Sequence, residues 1–172
     1  MVYSQRYTHI YVGLGTVLFL IGGVFIINRI SKQKKKKRKT LAVDFSVFDS
    51  KDIIGSGRCI DRTLLKKLLL LEKRTGYPVL KNINSAVRSP FWNKKVGGVS
   101  DSAHLITKCQ AVDIKASSTY IRNLLVVQAY NLGFTRIGVG KTFVHLDVDT
   151  TKPQYVAWGY PSGTAPEINP FK

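Results

Sequence analysis

Two short segments constrain this chain more than anything else in it: Ser102-Ala103-His104-Leu105-Ile106-Thr107-Lys108-Cys109-Gln110-Ala111-Val112-Asp113-Ile114, and Phe143-Val144-His145-Leu146-Asp147-Val148. The chain has three histidines, and two of them, His104 and His145, sit in these segments, each in an apolar run and near an aspartate. Zn²⁺ accepts imidazole nitrogen and carboxylate oxygen, and a catalytic site leaves its fourth position open for water. His104, Asp113 and His145 therefore make a three-ligand set suited to catalytic zinc. The competing interpretation is that each histidine is a core residue with its nitrogens satisfied by neighbours. In an alternating strand Phe143, His145 and Asp147 face one side, so His145 and Asp147 can enter one site together.

Ahead of His104 run Asn84-Ser85-Ala86-Val87-Arg88-Ser89-Pro90, then Asn93, then Gly97-Gly98-Val99-Ser100-Asp101. With these motifs in this order, the chain resembles the zinc D-alanyl-D-alanine carboxypeptidases and related D,D-peptidases, a group that includes phage endolysin peptidases and hedgehog-type folds. Their pattern runs S-G-x-R-S-P, an Asn, a Gly-Gly pair, S-x-H-x-x-G-x-A-x-D, and H-x-D on a later strand. The resemblance covers roughly Leu64 to Trp158. It implies a small mixed α+β zinc-peptidase domain with a central antiparallel sheet and flanking helices. It also implies zinc held by His104, Asp113 and His145, and a peptidoglycan stem peptide or cross-link as substrate, cut by zinc-activated water. Arg88 matches the arginine whose fork pairs with a carboxylate or steadies the carbonyl oxyanion. Ser102 matches the small polar residue that helps hold substrate or orient the loop. Trp158 is expected to pack beneath the site.

The chain departs from this pattern in three places. The family spaces its first His and Asp seven apart, whereas His104 and Asp113 are nine apart, leaving two extra residues around Ile106-Thr107. Many relatives place a Glu or His shortly before the last ligand as general base, and Val139 to Val144 contains neither. Asp147 is the nearest candidate for that catalytic role; its other role is to orient a zinc-bound histidine. Cys109 stands where the pattern has glycine, and a small buried residue would suit it. Whether it pairs with Cys59, the other cysteine, is open at the level of sequence.

Residues 1–9 form a short flank, followed at Ile10 to Ile27 by 18 residues without a charge. At ~1.5 Å rise per residue such a helix spans roughly 27 Å, close to a bilayer's hydrocarbon core. Basic residues follow rather than precede it, so residues 10–30 read as a retained transmembrane helix contacting lipid. The expected location is thus a single-pass protein of a bacterial inner membrane or a virion membrane. The positive flank favours the cytoplasmic side, opposite to a wall substrate, and leaves the side of the domain open.

Net charge is +17, and nine of the 27 basic residues precede Asp44. Lys32, Lys34, Lys35, Lys36, Lys37, Arg38 and Lys39 suit anionic lipid or nucleic acid. Residues 31–57 are expected to be a basic linker and extended lead-in, 58–160 the peptidase-like domain, and 161–172 an irregular tail. Within the domain, apolar spacing predicts helices from Arg62 to Arg74 and from Ser118 to Leu132, and strands at Val79–Ile83, Arg136–Gly140, Phe143–Val148 and Tyr155–Trp158. Two other functional classes compete: a catalytically inactive wall-binding or virion structural protein of the same fold, and a membrane-tethered nucleic-acid binder. Metal without cleavage marks the first, and steeply salt-dependent DNA binding marks the second.

Overall fold

The computed structural model describes residues 43–172, and Asp44 to Lys172 form one compact unit. Its first helix, α1 (Arg62–Thr75), starts where the Asp61 carboxylate accepts the N–H groups of Thr63 and Leu64. It stops at Gly76, whose φ of +68° and N–H to Glu72 O close the last turn. Leu64, Leu68 and Leu71 recur at helical spacing and are fully buried. Helix α2 (Pro90–Lys95) is a short element that the sequence reading did not anticipate. Its signal is Ser89-Pro90: the Ser89 hydroxyl accepts the Trp92 N–H, and proline takes the first helical position. Helix α3 (Thr119–Asn131) is capped by Ser118 and buries Leu125, Val126 and Ala129.

Five strands make one sheet: β1 (Ile83–Ser85), β2 (Ala111–Lys115), β3 (Arg136–Val139), β4 (Phe143–Asp147) and β5 (Val156–Gly159), in the order β1-β2-β4-β3-β5. The register of β2 on β4 sets Asp113 beside His145 and Val112 beside Leu146; β3 on β4 sets Arg136 beside Asp147 and Gly138 beside His145. Side chains alternate across a strand, so one face carries Val112, Ile114, Ile137, Val139, Val144 and Leu146, all buried. That face meets α3, which in turn packs on α1. The other face carries Asp113, Arg136, Gly138, His145 and Asp147. A one-residue slip would drive these polar groups into the core, so the apolar set holds the register of the polar one.

The expected fold class needs correction in two respects. The sheet is mixed rather than antiparallel, because β5 runs parallel to β3 after a connection long enough to turn the chain round. Among the described residues no helix is long and apolar enough to cross a membrane. The transmembrane helix expected at 10–30, the basic run from Lys32 to Lys39 and the third histidine, His9, lie outside the described residues. Two smaller expectations also change. Val79, with helical backbone angles, caps a 3-10 turn at Leu80–Asn82, where the Glu72 carboxylate accepts the Leu80 N–H; the strand begins only at Ile83. The lead-in is not extended but carries 3-10 turns at Phe45–Phe48 and Ser56–Cys59. Asp49 draws them together by accepting the N–H groups of Gly55 and Gly57, and Phe48 is fully buried.

Candidate metal centre

Register alone places Asp113 next to His145, but His104 comes from a loop. That loop is fastened to the Arg88 segment, with the Arg88 N–H donating to His104 O (2.7 Å) and the Ile106 N–H to Arg88 O (2.9 Å). The two additional residues are absorbed in a turn in which Lys108 and Cys109 N–H groups donate to Leu105 O (2.7 and 2.8 Å), closed by Gln110 N–H to Ala103 O (2.9 Å). The nine-residue spacing therefore bulges outward at half-buried Ile106 and exposed Thr107 and leaves both ligands in reach. Cys109 has φ +54°, the left-handed region that favours glycine, which explains the glycine of the related pattern. It is disulfide-bonded to Cys59, so the pairing left open by the sequence is formed and ties this turn to the N-terminal 3-10 turn.

The three expected ligands converge. His104 Nε2 lies 3.2 Å from His145 Nδ1 and 3.3 Å from Asp113 Oδ1, and His145 Nδ1 lies 2.8 Å from Asp113 Oδ1. Tetrahedral zinc with bonds of about 2.0–2.1 Å holds its ligand atoms about 3.3 Å apart, so this triangle has nearly the required edges. His104 Nδ1–H donates to Ala86 O at 2.6 Å, which fixes the tautomer and leaves the Nε2 lone pair facing the other two. Burial pushes the His104 pKa down, favouring the neutral ring that a metal needs. Burial also disfavours a charged His145, but hydrogen bonds to Asp113 and Asp147 outweigh it and push its pKa up to about 9. Burial opposes ionisation of Asp113 as well, yet attraction to His104 and hydrogen bonds from both histidines hold it well below the usual carboxylate range. The centre thus demands positive charge, as a proton or as a metal ion. His104, Asp113 and His145 form a group of metal-binding geometry among the described residues.

Around the triangle, Arg88 donates from Nη2 to Asp113 Oδ2 (2.5 Å) and from Nε to Ser85 Oγ (2.8 Å). Nε and Nη2 are thus engaged by Ser85 and Asp113, and Arg88 also lines the cavity described below. Ser102 is buried, and its hydroxyl accepts the His104 N–H at 3.3 Å, the loop-orienting role of the two expected for it. Asp147 accepts Arg136 Nε at 2.8 and 3.1 Å and the Asp149 N–H at 3.0 Å, and lies 3.1 Å from His145 Nε2. With both oxygens engaged and 2 % exposure, Asp147 has the surroundings of a positioning residue, not of a free general base. Trp158 packs on the His145 ring at 5.4 Å between centroids and also lines the cavity.

The sequence reading missed Arg136, Lys152, Tyr160 and Gly138. Arg136 is buried, pairs with Asp147 and stacks over Trp158 at 5.2 Å; its signal is a lone charge opening an apolar strand. Gly138 lies under the site, where a Cβ would come within 2.8 Å of Tyr160, 2.9 Å of Trp158 and 3.0 Å of His145. Burial pushes the Tyr160 hydroxyl up to about 12, so it stays protonated. Arg136, Lys152 and Tyr160 border one cavity of about 480 Å³, with His104, Asp113 and His145 in its wall and Val96 to Val99 along one side.

A comparison with curated proteins gives no match. A family model described as Peptidase M15 matches residues 30–147, a stretch that contains Arg88, Ser102, His104, Asp113, His145 and Asp147. Members of that family are zinc-dependent peptidases, and the donor set described above fits that metal. A match over more than half of the chain, ending at the aspartate of the His145-x-Asp147 motif, shows that this chain belongs to the Peptidase M15 family.

Proposed function

We propose that the protein is a zinc-dependent D,D-peptidase that hydrolyses a peptide bond in peptidoglycan stem peptides or cross-links. One observation carries the reading: three donor atoms, 2.8–3.3 Å apart, stand in the wall of a cavity of peptide-binding size. His104, Asp113 and His145 would hold the zinc. When bound, zinc acidifies a water in its open position and polarises the scissile carbonyl. The chain's own residues do the rest. Ala86 O and Asp147 orient the two imidazoles, and Arg88 holds the Asp113 carboxylate turned towards them. Phe143, Trp158 and Tyr160 form an aromatic wall that excludes water from one side of the substrate. The Cys59–Cys109 disulfide supports a place of action outside the reducing cytoplasm, where peptidoglycan is met.

A second reading, a zinc-holding but hydrolytically silent wall-binding domain, is favoured by a different observation. Among the described cavity-lining residues, the carboxylates and imidazoles are all engaged with each other or with arginine. Incubating the zinc-loaded full-length chain with purified peptidoglycan and resolving the products by mass spectrometry separates the two. New stem-peptide termini, lost with His104→Ala, support the peptidase. Sedimentation with the wall without new termini supports the silent domain.

A further inference from the structure

Among the described residues, Arg88, Arg136 and Lys152 bring positive charge to the cavity wall. Two of them are held in buried ion pairs within the protein. Arg88 pairs with Asp113 at side-chain exposures of 14 % and 11 %, and Arg136 with Asp147 at 10 % and 2 %. A ligand that drew either arginine away would strand a carboxylate in the interior, which is strongly unfavourable. Lys152 differs. Its Nζ lies 2.9 Å from Asp101 Oδ2, and while the lysine side chain is 18 % exposed, the aspartate is 67 % exposed. A carboxylate already mostly in water loses little by turning out to solvent, because exposed ion pairs are weak and screened by salt. The ammonium, largely enclosed beside the cavity, then lacks an anion.

We propose that Lys152 recognises a carboxylate of the substrate, and that Asp101 holds its place until the substrate displaces it. This rests on the peptidase reading and narrows it to peptides with a free carboxylate near the scissile bond. That carboxylate is either the C-terminal one or that of an acidic side chain in the stem. Arg88 then positions Asp113, and the substrate anchor expected there from sequence lies on the connection between β4 and β5. The Asp101–Lys152 pair also joins the loop leading to His104 to that connection, beside the tie made by Lys108 to Asp101 O and Asp149.

The test uses the zinc-loaded full-length chain, its Lys152→Met and Asp101→Asn variants, and stem peptides prepared in three forms: free acid, C-terminal amide and side-chain amide. For the amide that removes the recognised carboxylate, wild-type KM should rise by about 10-fold or more, the scale of a charged hydrogen bond. Which amide does so identifies the carboxylate. In Lys152→Met that difference should collapse to about twofold or less, with KM for the free acid changing more than kcat. Asp101→Asn should lower KM for the free acid. An acid-to-amide ratio unchanged by Lys152→Met for both carboxylates would overturn the proposal, as would an Asp101→Asn variant with wild-type KM. Should the wild type cleave neither these peptides nor purified peptidoglycan, the peptidase reading fails. Equilibrium binding of the same acid and amide peptides then decides the role of Lys152 by the same ratio.

Discussion

Replacing Asp147 by asparagine distinguishes a carboxylate that positions His145 from one that carries protons itself. Asp147 accepts Arg136 Nε at 2.8 and 3.1 Å and the Asp149 N–H at 3.0 Å, and faces His145 Nε2 at 3.1 Å. Asparagine keeps the shape but turns an NH₂ group against either Arg136 or the imidazole N–H, and no longer balances the guanidinium. Removing one partner of a buried ion pair costs about 3–5 kcal/mol. Arg136 retains the Pro153 carbonyl and the Trp158 face, which puts the expected loss near 3 kcal/mol, the lower end of that range. Losing the outer partner of a ligating histidine should weaken zinc binding roughly 10–100-fold. Urea unfolding in chelator reads the first quantity, and competition for zinc against a chromophoric chelator reads the second. Adding Arg136→Met removes the uncompensated cation and should restore part of the stability but none of the zinc affinity. The opposite outcome is zinc affinity within about twofold of wild type, with cleavage lost along with one limb of its pH profile. Asp147 would then be the general base, and its role in holding His145 would be refuted.

Gly138→Ala places a methyl within 3.0 Å of Tyr160, Trp158 and His145 side chains. Overpacking of this kind should cost about 1–3 kcal/mol and weaken zinc binding as the histidine shifts, read by thermal unfolding and metal competition. Reducing the Cys59–Cys109 bond, which closes a loop at a sequence separation of 50, should lower stability by about 4 kcal/mol on the chain-entropy model. Urea titration with and without reductant measures that loss. Burial alone would raise the pKa of the fully buried Asp149, but hydrogen bonds from Lys108 and Thr151 outweigh it and pull it down to about 2. A carboxylate with a depressed folded-state pKa contributes stability above its unfolded value of 3.8, and that contribution is lost as pH falls towards about 2. Lys108→Met should therefore move the acid-unfolding midpoint to higher pH, as circular dichroism against pH would show.

His145 and Asp147 were legible as neighbours from alternation in β4, and the joining of His104, Asp113 and His145 from the ordered motifs that resemble the zinc D,D-peptidases. His104, Asp113 and His145 meet as that resemblance implied, and helix α1 runs over Arg62–Thr75, where apolar spacing predicts one from Arg62 to Arg74. What was not legible depends on register or on loops. Arg136 reads as an ordinary first residue of a strand until β3 is laid on β4 and sets it opposite Asp147. The roles of Arg88 and Asp147 follow from which partners consume their hydrogen bonds, and spacing carries no information on that. The lead-in expected to be extended is instead wound into turns, because the Asp44 and Asp49 side chains capture nearby N–H groups. The disulfide needed three dimensions as well, since two cysteines in a chain fix no geometry.

The most direct measurement is the metal content of the purified full-length protein beside its His104→Ala, Asp113→Ala and His145→Ala variants, each checked for folding by circular dichroism. A triangle of donors 2.8–3.3 Å apart should hold about one zinc per chain in the wild type, and each single replacement should remove it by breaking the three-point set. Stoichiometric zinc persisting in all three folded variants, or a wild type that takes up none from zinc-containing buffer, would contradict the assignment of this centre.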